Sequence, residues 1–259
     1  MEIIQHYLTK NPCYQTNQTI VPKGVMVHSL GVAQPDPNVF VRLWDTPEAD
    51  VCVHALVSQE GVLQLLPWEH RAWHAGVGTS GESANNTHIA FEMCEPAGHT
   101  YAGGTMVGYD AEKNAAYFAD VYGRAVALAA MLCAKYGLDP LTDILCHSEG
   151  YHKGIASNHS DVMQWFPKHE KSMDTFRAEV KALLSGEESD EMTQQEFDTM
   201  FAKAMEAYTK SLEDKAPSAW AQEAWTKAKA QGVFDGTMPQ SPLTREQSAL
   251  VLERLGLIK

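Results

Sequence analysis

Histidine is unevenly spread along this 259-residue chain: all eleven lie between His6 and His169, and none follows. Two of them sit where an apolar run meets polar residues, His28 in GVMVHSLG and His147 in ILCHSEGY. An acidic residue, Asp161, follows in GIASNHSDVMQWF. A tetrahedral catalytic zinc takes three protein ligands from His, Asp, Glu or Cys and keeps a fourth position open for water. His28, His147 and Asp161 meet that need. Ligands drawn from distant segments leave no compact signature such as HExxH, so by spacing alone packed or hydrogen-bonded histidines remain the alternative.

A second chemical group lies in HIAFEMC. Strand alternation there puts Ala90 and Glu92 on one face and Ile89, Phe91 and Met93 on the other, so a carboxylate projects from a strand whose other face fills a core. The alternative is a solvated acid at a strand end. Cys146 beside His147, and Cys94 near Glu92, raise a cysteine hydrolase, but adjacent strand residues point to opposite faces and do not pair as nucleophile and base. No GxSxG elbow and no GxxxxGK phosphate loop occur in the sequence.

These groups need elements to hold them. VMV before His28, VCVHALV over 51–57, VLQLLP over 62–67 and HIAFEMC over 88–94 read as strands. Phe118, Val121, Tyr122, Ala125, Leu128, Ala129 and Leu132 recur at helical spacing within 111–136, with Asp110 as cap, Gly137 as stop and Pro140 beyond. A further helix is expected from Met173 to Leu184. The fold class is therefore α/β, a central mixed sheet flanked by helices.

The charged segment SGEESDEM reads as a linker, which divides the chain into a domain over 1–184, a linker over 185–193 and a small all-α module over 194–259. In that module Phe197, Phe201, Ala204, Met205, Tyr208 and Leu212 form one helical stripe, and Trp220, Ala224, Trp225 and Ala228 a second. Thr244 with Gln247 makes a capping-box pattern.

A formal charge of -13 argues against nucleic acid as partner. No run reaches the ~20 apolar residues that span a bilayer, so no membrane partner is expected. The beginning, MEIIQHYLTKNPCYQ, has no basic start followed by an apolar stretch. Cytoplasmic synthesis without a signal peptide is the expectation. The odd number of five cysteines, without CxxC spacing, reads as reduced thiols.

From about residue 20 to 170 the chain resembles the zinc-dependent N-acetylmuramoyl-L-alanine amidases of the type-2 family, which includes phage endolysins and is related to peptidoglycan-recognition proteins. VMVHSLG, CVHALVSQEGVLQLLP, RAWHAG, HIAFEMCE and ILCHSEGYHKGIASNHSDVMQWF carry the likeness, each modest alone and specific in this order. The resemblance implies one zinc on His28, His147 and Asp161, with His159 as rival to Asp161, since imidazole binds zinc at least as readily as carboxylate. It implies Glu92 as catalytic glutamate. It places His159 where many members carry a lysine, as the group that stabilises an oxyanion, and this departure from lysine puts that role in question.

By the same resemblance His54, Trp73 and His74 line a substrate cleft, with a packed loop anchor as the alternative for the last two. The implied activity is hydrolysis of the amide between N-acetylmuramic acid and L-alanine in peptidoglycan, with the wall reached after release through a holin or lysis. A non-catalytic peptidoglycan-binding protein on the same fold is the alternative. The segment from Ser218 to Gly256 resembles S-layer-homology-type modules, which implies a secondary cell-wall polymer as partner. A single copy leaves open a helical cap, or homo-oligomerisation through 194–259.

Overall fold

The computed structural model describes residues 2–186, 194–213 and 215–258, and divides into two compact units, Met1–Ser189 and Asp190–Lys259. From position 187 onward the expected linker lies outside the described residues. The first unit opens with β1 (Ile3–Gln5), α1 (Pro12–Gln15), β2 (Gly24–Ser29), α2 (Pro37–Trp44), β3 (Ala55–Ser58), β4 (Gly61–Gln64) and β5 (His88–Met93). It continues with a hairpin of β6 (Thr100–Ala102) and β7 (Thr105–Val107), then α3 (Ala115–Tyr136), α4 (Pro140–Asp143), β8 (Ile144–Cys146), α5 (His147–His152), α6 (Val162–Trp165) and α7 (Met173–Ser185).

Six strands form a mixed sheet in the order β1-β4-β3-β5-β2-β8. Only β3 and β4 run antiparallel; the other neighbours are parallel. The expected α/β sheet is thus present. Side chains alternate between its faces as the pleat requires. Val25 and Val27 of β2, Ile89, Phe91 and Met93 of β5, and Ile144 and Cys146 of β8 join one core with α3 and α7. Met26, Ala90 and Leu145 face the opposite core, which contains Leu65, Leu66, Ala72 and Ala156. His28 and Glu92 belong to this second face by the same alternation.

Two boundaries differ from expectation. The 111–136 helix begins at Ala115, because Asp110 accepts from the Lys113 N–H in a preceding turn and Asn114 is the N-cap residue. Gly137 ends it as expected, at a φ of 66° that glycine adopts without a Cβ clash. α3 has the length and composition of a membrane span, but its apolar face packs on the sheet. The 51–57 strand is shorter: pairing with β4 and β5 starts at Ala55, while Cys52 makes only an isolated bridge to Trp73.

The second unit contains α8 (Gln194–Glu213), α9 (Gln222–Ala230) and α10 (Arg245–Arg254). The capping box starts α10: the Gln247 N–H donates to Thr244 Oγ1 at 3.1 Å and the Thr244 N–H to Gln247 Oε1 at 2.9 Å. Trp225 stacks on Phe234, but Trp220 precedes α9 and is 90% exposed, so the two tryptophans do not form one packed stripe. Phe197, Phe201, Met205 and Tyr208 of α8 are exposed as well, whereas Leu212 is buried.

Candidate metal centre

Three adjacent parallel strands end at the same edge of the sheet, the carboxyl edge where open α/β sheets bind ligands. In the β2–β5 ladder His28 is the register partner of Glu92. In the β2–β8 ladder Val27 pairs with Cys146, so the next residues on, His28 and His147, reach the same level. His147 turns the chain from β8 directly into α5, whose first turn closes when Glu149 accepts from the Cys146 N–H at 3.0 Å.

Asp161 arrives from the other side, immediately before α6, at φ 44° and ψ -125°. An L-residue held there stores roughly 1–3 kcal/mol of strain, a cost that marks functional positions more often than framework ones. The result is convergence of three ligating atoms. His28 Nδ1 lies 2.6 Å from Asp161 Oδ2, His147 Nδ1 3.3 Å from the same oxygen, and the two Nδ1 atoms are 3.2 Å apart. These edges approach the ~3.3 Å separation of ligands on a tetrahedral zinc with bonds of about 2.0–2.2 Å, so two imidazoles and a carboxylate fit that ion in type and spacing. Among the described residues, this is the group of His, Cys, Asp and Glu that could hold a metal ion.

His159 takes a different place. Its Nδ1 lies 3.1 Å from Ser157 Oγ and 3.3 Å from His147 Nε2, the nitrogen turned away from the cluster. Asp161, not His159, therefore completes the triangle.

Burial and mutual contact shift the titration of these groups. Burial raises the Asp161 carboxyl, but hydrogen bonds from His147 and His28 and their charges outweigh it and hold it well below the carboxylate range. Burial pushes His28 down, opposed by Asp161. Glu92 is pushed well up, first by burial and then by the negative charges of Asp161 and Glu95, and its Oε2 is buried without a hydrogen-bond partner among the described residues. Such an orphan is costly unless function retains it.

The expected cleft residues divide. His54 is wholly buried just before β3, its Nε2 2.8 Å from the His70 carbonyl and its Nδ1 accepting from the Ala90 N–H at 3.0 Å. With both nitrogens engaged by backbone, it is not available to a substrate; it ties the 65–70 segment to β5. Trp73 is half-buried and pairs through its backbone with Cys52. His74 does not merely line a cleft: its Nδ1 is 3.1 Å from His28 Nε2, and burial together with neighbouring imidazoles pushes its pKa well down.

Glu95, Asn85 and Ser157 also shape the site and carry no periodic signal in the sequence. Glu95 is buried at the end of the segment after β5, where it accepts from Gly31 N at 3.1 Å, from Tyr101 OH at 3.0 Å and pairs with His99 Nε2 at 2.9 Å. It thereby joins the loop after His28 to the chain after Glu92. An acid just beyond an apolar strand was its only trace in the sequence.

The sequence matches the family described as N-acetylmuramoyl-L-alanine amidase over residues 16–164. It is 26% identical over 145 residues to the N-acetylmuramoyl-L-alanine amidase BlyA of Bacillus subtilis (strain 168), covering 56% of this chain and 37% of that protein. The chain thus spans little more than a third of the curated relative. The fold is similar to the catalytic domain of XlyA, with a TM-score of 0.51, 21% identity, and coverage of 70% of this chain and 99% of that one. It is also similar to the Staphylococcus aureus hydrolase AmiA, with a TM-score of 0.51, 18% identity, and coverage of 73% and 87%.

Proposed function

This chain belongs to the N-acetylmuramoyl-L-alanine amidase family, and on that footing we propose that it hydrolyses the amide between N-acetylmuramic acid and L-alanine in peptidoglycan, with one zinc on His28, His147 and Asp161. The observation that carries the reading is the convergence of two Nδ1 atoms and one carboxylate oxygen within 2.6–3.3 Å at the carboxyl edge of the sheet.

Amide resonance makes the carbonyl carbon a poor electrophile, and neutral water is a poor nucleophile. When bound, zinc supplies a Lewis acid for the carbonyl oxygen and lowers the pKa of water at its open position toward about 7. Glu92 then accepts a proton from the attacking water and delivers it to the departing nitrogen of L-alanine. Its burial suits that exchange, since a carboxyl pushed above its ordinary range is a stronger proton acceptor than an exposed one. The C–N bond breaks, hydroxyl adds to the carbonyl carbon, and an acid and a free amine result. His159 engages Ser157 Oγ and His147 Nε2 through Nδ1, and Nε2 is the atom proposed, by the family resemblance, to donate to the developing oxyanion.

Binding of peptidoglycan without turnover is the alternative. Glu92 Oε2, without a hydrogen-bond partner among the described residues, favours catalysis, because leaving a buried carboxylate oxygen unpaired is a cost that a purely binding site does not need to bear. For the second unit, the exposed Phe197, Phe201, Met205 and Tyr208 support self-association through 194–259, and a secondary wall polymer is its proposed ligand. The deciding experiment follows new free amines released from purified peptidoglycan, with zinc content measured in parallel. Stoichiometric zinc with amine release supports the amidase; wall binding without released amine moves the binding protein to first place.

A further inference from the structure

Both ligand histidines turn Nδ1 into the cluster, so each must face the protein with Nε2. An imidazole whose Nδ1 lone pair is given to a metal carries its proton on Nε2, and the acceptor met there fixes both tautomer and ring orientation. For His147 the neighbours are Ser157 Oγ at 3.2 Å and His159 Nδ1 at 3.3 Å. For His28 the neighbour is His74 Nδ1 at 3.1 Å, with the rings edge to face at 5.2 Å between centroids.

His74 is held in that place by more than its own ring. Asn85, itself buried, accepts at Oδ1 from the N–H groups of His74 and Ala75, both at 2.8 Å. The Ser157 N–H donates to the Ala75 carbonyl at 2.8 Å, which binds the His74 loop to the loop that leads to Asp161. Gly78 seals the contact: a Cβ there would stand 1.8 Å from the Gly154 carbonyl oxygen, so only glycine permits the approach.

We infer that His74 is a positioning residue that accepts from His28 Nε2–H and thereby presents His28 Nδ1 to the metal. The inference rests on the metal reading proposed above. His74 touches neither the metal position nor the reacting bond; its effect is on how firmly the ion is held.

The test compares zinc affinity of the full chain in the native form, His74→Leu and His74→Gln, by competition with a chromophoric chelator, with thermal unfolding as a check on folding. His74→Leu removes the acceptor and weakens zinc about 10- to 100-fold, whereas His74→Gln, whose Oε1 accepts, stays within about threefold of native. Ring ¹H–¹⁵N spectra of the zinc-loaded native chain give a readout that needs no variant: His28 shows a hydrogen-bonded Nε2–H. Equal zinc affinity of native and His74→Leu overturns the inference while leaving the metal reading intact, as does a zinc-loaded His28 protonated at Nδ1. A native chain that binds no zinc overturns both.

Discussion

His28 and Glu92 are register partners across the β2–β5 ladder, and parallel pairing sends both side chains to the same face at the same edge. Neither needs a loop to bring it to the site; the pleat does so. Glu92→Gln therefore keeps the shape of the site and removes only the proton acceptor. Zinc content stays at the native level while amine release from peptidoglycan falls about 10²- to 10⁴-fold. Near-native turnover in this variant would remove Glu92 from the chemistry.

Asp161 and His159 compete for the third ligand position by sequence and are separated by geometry: one faces the Nδ1 atoms, the other the far side of His147. Asp161→Ala loses zinc at chelator concentrations that leave the native protein loaded. His159→Ala keeps it and loses activity. The opposite assignment of metal loss to the two variants, measured by elemental analysis after dialysis, would exchange their roles.

Glu95 receives Gly31 N, Tyr101 OH and His99 Nε2 inside the protein. Glu95→Leu leaves these groups without their acceptor and costs about 3 kcal/mol in denaturant unfolding. A loss below about 0.5 kcal/mol, the level of an ordinary surface substitution, would mean that solvent reaches these groups after all.

Burial lowers the His54 pKa to about 4, and burial lowers that of His88 likewise to about 4, from 6.5. The unfolded chain takes up these protons below pH 6.5 and the folded one only near pH 4. Their contribution to stability is complete above pH 6.5 and is lost as pH falls from 6.5 to 4, by roughly 3 kcal/mol for His54 alone. Thermal unfolding in the presence of a chelator follows the decline, and the His54 ring resonances report the titration. A His54 that titrates at 6.5 contradicts this account.

Much of the site could be read along the chain because its chemistry is tied to strand ends. His28 and His147 each close an apolar run, and alternation alone puts Glu92 opposite the core residues Phe91 and Met93. The capping box at Thr244 and the glycine stop at Gly137 were equally legible, because they depend on neighbours within a few residues. The start of α3 was less so: Asp110 satisfies the N–H of a turn as well as that of a helix, and the choice fell to the turn.

What only the tertiary structure decided is which nitrogen meets which partner. By resemblance His54 and His74 both line a cleft, yet one is consumed by two backbone groups and the other stands behind a ligand. The choice between Asp161 and His159 likewise depended on a backbone turned to a positive φ, which no spacing announces. Sequence period determines the face a side chain takes; the partner it meets there comes from segments 46 to 133 residues away, and packing alone brings those together.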